Sequence, residues 1–205
     1  MNKEFSSIIE KIRDAYPFEK GLAEMSIKDI SESINIPEKT IKSFAKDEKA
    51  LLKSVLEFER ESFKVIFDEH NFDGVNAIDI LLTVSKEMAT KFNNISPAIT
   101  FDLKSSFPDI YQSHFEIRRD FIFMKIKINL QKGISQGMYR EDLSIELISR
   151  LYIARLIDIH DPNFFPPEEF SFEMLFDVMF ENLIRSIATD EGLKYFEKKR
   201  KGFKF

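Results

Sequence analysis

Apolar residues recur along this 205-residue chain at three- and four-residue intervals, the repeat of an α-helix with one buried face. Phe5, Ile8, Ile9, Ile12, Ala15 and Tyr16 set out a first helix, closed by Pro17 and Gly21. Ser26-Ile-Lys-Asp reads as a capping-box start for a second, with Ile27, Ile30 and Ile34 as its apolar side. Asn35 suits a left-handed turn, and Pro37 suits the first turn of a third helix that carries Ile41 and Phe44. A long helix is expected from Asp47 to about His70, with Leu51, Leu52, Val55, Leu56, Phe63, Ile66 and Phe67. Asp73-Gly74 breaks the pattern before a helix over 75–94. Pro97 opens a short helix through Phe101, and Pro108 a long one that ends at Gly133 and Gly137. Ser144 to His160 and Phe170 to Ile187 are the last two, separated by a proline- and phenylalanine-rich loop. The expected fold is all-α, with about nine helices and no strand.

Residues 26–44 have the layout of a helix-turn-helix: two short helices, a tight turn, and an apolar interior of Ile27, Ile30, Ile34, Ile36 and Ile41. Lys39, Thr40, Lys42 and Ser43 are left on the outer side of the second helix. Lysines and short polar side chains are the groups that meet phosphates and base edges. The candidate DNA-binding residues are therefore Ser26, Lys28, Lys39, Thr40, Lys42, Ser43 and Lys46.

Composition narrows the rest. The net charge is −5, and residues 1–50 hold nine Lys/Arg against ten Asp/Glu, so any attraction to DNA rests on a local lysine face rather than on the whole domain. Cysteine is absent, which removes disulfides and thiolate chemistry. No signal peptide or transmembrane run is apparent, and a cytoplasmic protein with no membrane partner is expected. Asp158-Ile-His160-Asp161 is the one compact His/carboxylate cluster, and it lacks metal-ligand spacing; a helix end explains it better. With no nucleophile elbow, P-loop or dinucleotide fingerprint, neither an enzyme nor a cofactor or metal is expected.

From Gly21 to Leu51 the sequence resembles the TetR family of bacterial transcriptional regulators. The similarity runs without a gap through Gly21, Ser26, Ile27, Ile30, Ile36, Thr40, Ile41 and Leu51, with Phe44 a conservative replacement. Asn35, Pro37, Lys39, Lys42, Ala45 and Glu48 depart from the family pattern. Gly133, Gly137, Arg140 and Asp142 are similar to a junction that precedes the family's last two helices. The resemblance implies a helix-turn-helix domain over 1–46, a helical regulatory and dimerisation domain over 47–190, and a basic tail over 191–205. It also implies a homodimer that binds double-stranded operator DNA under the control of a small apolar effector.

Twenty-two phenylalanines serve either a core or a pocket lining. The pocket candidates are Phe63, Ile66, Phe67, Phe101, His114, Phe115, Ile117, Arg118 and Phe121, with His114 and Arg118 as polar anchors. The helix from Phe170 is apolar almost all round, which requires burial on more than one side. Leu147, Leu151, Phe172, Phe176, Met179, Phe180 and Leu183 are the candidate dimer contacts. The alternative from another class is a helical dimer of the same descent that binds a ligand or protein partner and reads DNA weakly or not at all.

Overall fold

The computed structural model describes residues 3–15, 26–92, 103–104, 106–159, 161, 163–166 and 168–200, without the side chains of 13–15, 89–92 and 172. Among these residues nine helices form: α1 Lys3–Ala15, α2 Ile27–Ile34, α3 Glu38–Phe44, α4 Glu48–Glu69, α5 Ala77–Phe92, α6 Pro108–Ser135, α7 Ile145–Asp158, α8 Phe172–Ile187 and α9 Asp190–Arg200. The only pairing outside helices among them is an isolated bridge between Tyr139 and Ala188. The expected all-α class is what forms. The helix expected from Pro97 to Phe101, and with it Tyr16, Pro17, Phe18, Gly21 and His160, lies outside the described residues.

The helix after Thr189 was expected as a tail. It forms because the Thr189 hydroxyl accepts the Gly192 N–H at 3.0 Å, Asp190 and Glu191 suit the positive first turn, and Phe196 is buried. Its basic end is tied down as well. Lys199 pairs with Asp79 at 3.2 Å, and Arg200 with Glu181 at 2.5 Å.

The chain divides into two compact units, one of residues 1–65 with 94–116 and one of 66–93 with 117–205. In the first, α1 packs on α2 and α2 on α3. Phe5, Ile8, Ile9 and Ile12 of α1 meet Ile27, Ile30, Ile41, Ala45, Leu51 and Val55 in one core. Each fully buried isoleucine contributes roughly 1.5–3 kcal/mol, so three short helices become stable together where none would alone. A second cluster in the same unit joins Leu52 and Leu56 of α4 to Leu103 and Ile110.

In the second unit α8 is central and packs on α5, α7 and α9. The junction between α6 and α7 is fixed by close approach. A Cβ on Gly133 would stand 2.0 Å from the Tyr139 ring, and one on Gly192 would stand 2.0 Å from the Met138 carbonyl oxygen. Only glycine admits either contact. Tyr139 then donates its hydroxyl to Asn129 Oδ1 at 3.1 Å, and Asn129 donates to the Ala77 carbonyl at 2.9 Å. Burial holds the Tyr139 phenol protonated. Arg140, singled out with this junction, donates to the Ser186 carbonyl at 2.8 Å.

Candidate functional site

The α2–α3 pair is built from local chemistry. Ser26 is the N-cap of α2: its hydroxyl accepts the Asp29 N–H at 3.2 Å, and Asp29 returns the bond to the Ser26 N–H at 3.3 Å. Such a cap is worth roughly 1 kcal/mol. Asn35 ends the helix with φ 53° and ψ 46°, the left-handed conformation that asparagine tolerates. Pro37 then starts α3, whose inner residue Ile41 is fully buried. Phe44 closes the interior by stacking on Phe5, with ring centroids 4.9 Å apart.

The outer side carries the expected contact residues. Lys28, Lys39, Lys42, Ser43 and Lys46 are exposed, and Ser26 and Thr40 are half-buried. Four of them are engaged within the protein, Ser26 through the α2 cap. The Ser43 hydroxyl donates to the Thr40 carbonyl at 2.7 Å. Lys42 Nζ donates to Glu38 Oε2, also at 2.7 Å, and that bond, with the carboxylate's charge, raises the lysine pKa. Lys46 Nζ lies 3.9 Å from Asp47. At the start of α4, Glu48 Oε1 accepts the Ile27 N–H at 3.1 Å. That bond is the main reason the Glu48 carboxyl lies below the usual range. The glutamates Glu38 and Glu48 were not among the expected site residues, although the Glu38–Lys42 spacing of four is readable in the chain.

The expected ligand residues fall in both units. In the first, Phe63 and Phe115 are half-buried and His114 is buried. His114 Nδ1 lies 2.8 Å from Arg60 Nη1, so arginine, which has donors only, gives the imidazole its hydrogen. Arg60 was not expected there, because a spacing of 54 residues leaves no sequence signal. Phe115 stacks on Tyr111 at 5.8 Å. In the second unit Ile66 is fully buried, Arg118 half-buried and Ile117 exposed. Phe67 meets Phe121 edge to face at 5.6 Å, with Lys125 Nζ 4.4 Å from the Phe67 ring centre. Phe101 lies outside the described residues.

Two surface cavities of the second unit involve other side chains. One, of about 750 Å³, is lined by Phe164, Phe165, Phe170, Met174, Val178 and Met179 among others. The other, of about 450 Å³, includes Glu173, Asp177, Phe180, Phe196 and Arg200.

Of the expected dimer contacts, Leu147 and Leu151 stand exposed on α7. Phe176, Met179, Phe180 and Leu183 are buried within their own unit, and the Phe172 side chain is outside the described set. Among the described side chains of α8 the exposed large apolar ones are Met174 and Val178, one turn apart. Among the described residues no helix is long and apolar enough to cross a membrane, and no group of His, Cys, Asp or Glu is placed to hold a metal ion.

No family model matches the sequence, and no curated protein is significantly similar to it. Solved structures are another matter. A TetR-family transcriptional regulator from Agrobacterium tumefaciens superposes with a TM-score of 0.69 at 12% identity, over 89% of this chain and 98% of that one. The fold is that of the TetR-family regulators. NemR of E. coli in its reduced form gives a TM-score of 0.66 at 12% identity, over 89% of this chain and 98% of its own. SmeT in complex with triclosan gives 0.65 at 13% identity, over 90% and 93%. The likeness of these three structures to this chain covers both units.

Proposed function

We propose that the chain is a homodimeric, TetR-like transcriptional regulator of the cytoplasm that binds a palindromic operator through α2 and α3. The observation that carries this reading is the two-sided character of residues 26–46. Ile27, Ile30 and Ile41 are buried on one side, and Lys28, Lys39, Lys42, Ser43 and Lys46 are exposed on the other. A helix-turn-helix needs a packed interior and one face free for the major groove. The fold shared with the Agrobacterium tumefaciens regulator supports the same reading.

Dimerisation supplies the second reading head. Leu147, Leu151 and Ile157 of α7 and Met174 and Val178 of α8 are exposed apolar side chains, and a two-fold axis would bury such residues against their counterparts. The effector in this reading is an apolar or amphipathic small molecule. SmeT, with the same fold, is seen with triclosan. Buried His114, paired with Arg60, supplies a polar group of the kind that orients such ligands. An effector acts by binding one arrangement of the two heads better than another.

The second reading, a dimer with weak or lost DNA binding, draws on one observation: Lys42 is already paired with Glu38. Retardation of DNA from the region upstream of the chain's own gene separates the two. The regulator reading expects binding that weakens with salt and exceeds binding to a scrambled duplex. Equal affinity for the two duplexes at moderate salt would overturn it.

A further inference from the structure

We infer that the reading head is restrained by its own carboxylates: Glu38 and Glu48 occupy a lysine and a backbone N–H that would otherwise meet DNA phosphates. The inference rests on the DNA-binding reading and names what sets the strength of that binding.

Two separate contacts carry it. On α3, Lys42 Nζ lies 2.7 Å from Glu38 Oε2, one turn earlier on the same outward side. A phosphate that recruits Lys42 must displace that carboxylate or accept its repulsion. Glu38 is also in the first turn of α3, and helix-turn-helix readers turn the start of this helix toward the base edges. The second contact spans 21 residues. Glu48, at the start of α4, accepts the N–H of Ile27, the first residue of α2. The first helix of a helix-turn-helix crosses the DNA backbone. Here its opening N–H already holds a carboxylate, and Asp29 adds another in the capping box.

Charge agrees with geometry. Residues 26–50 contain five lysines and five acidic residues, so the head as a whole is neutral. Lys28, Lys39 and Lys49, exposed and in no ion pair among the described residues, are the cations left to the DNA. The head therefore keeps the shape of a reader while neutralising part of its own phosphate contact. It gains discrimination at the expense of affinity, because the electrostatic share of binding is the share that ignores sequence.

Glutamine tests this cleanly. It keeps an oxygen for Ile27 N–H and for Lys42 but removes the charge. Wild type, E38Q, E48Q and the double variant are titrated by fluorescence anisotropy onto the upstream duplex at stepped salt, with thermal melts to compare folding. The double variant is expected to bind roughly tenfold tighter or more, with a slope of log affinity against log salt steeper by about one to two. Unchanged affinity and slope in a variant that melts like wild type would overturn the inference. If the double variant melts early, E38Q alone carries the test, since the bond from Glu38 to Lys42 lies within α3 while that of Glu48 ties α4 to α2. If neither wild type nor variants bind at low salt, the DNA-binding reading fails and takes this inference with it. Equal and measurable affinities defeat the inference alone.

Discussion

The reading head over residues 26–45 and helix α8 solve opposite problems. In the head every short helix has one apolar side and one polar side, so the chain itself says which way each residue faces. Ile27, Ile30 and Ile41 are buried where the spacing puts them. Helix α8 carries Glu173, Asp177, Glu181 and Arg185 at four-residue spacing, but Met174 and Val178 interrupt that polar side, so its pattern marks the covered side less cleanly. Phe176 is 7% exposed, and Val178, two residues on, is 56% exposed. Contrast in polarity fixes orientation; abundance of apolar residues fixes only that burial occurs.

The largest effects should come from the residues that both regions bury. Ile41→Ala in the head removes packing worth roughly 2–5 kcal/mol, and Phe176→Ala roughly 3–5 kcal/mol. Each should lower the thermal midpoint by several degrees, measured by circular dichroism. Val178→Asp is expected to leave that packing intact and instead shift light scattering from dimer toward monomer. A large loss of stability in Val178→Asp with no change in mass would erase the distinction between the two sides of α8.

The smallest effect separates charge from packing on the same helix. Asp177 has its pKa pushed up to about 6, by burial first and by neighbouring Glu173 second, against a lowering from Arg200. The folded chain therefore binds this proton more readily than the unfolded one. The carboxylic acid favours folding at low pH, and that contribution is lost as pH rises through about 6. Asp177→Asn should melt slightly above wild type near pH 8, with the gap closing toward about pH 4. A gap independent of pH would place the effect in packing.

The legible parts of the fold were those set by neighbours along the chain. The Ser26–Asp29 box, the left-handed Asn35 and the start at Pro37 all depend on residues within four positions, and the structure has each of them. Helix α9 was not legible. Its core contact rests on Phe196 and on a glycine whose need is set by the Met138 carbonyl, more than fifty residues away, while the run Lys198-Lys199-Arg200-Lys201 reads as a solvated end. The site divides in the same manner. The outward lysines of the head follow from periodicity, but Glu48 on Ile27 and Arg60 on His114 are tertiary contacts without any spacing signal. The exposed pair Met174 and Val178 was hidden because both are apolar residues set among the polar positions Glu173, Asp177, Asn182 and Arg185 of α8.

Nuclease footprinting of the upstream region tests the head and the dimer together. Two heads on a two-fold axis should protect two inverted half-sites whose centres lie about one helical turn, 34–36 Å, or a multiple of it apart, and Val178→Asp should weaken both halves together. A single unpaired protected stretch, or uniform protection without sequence preference, would contradict the account.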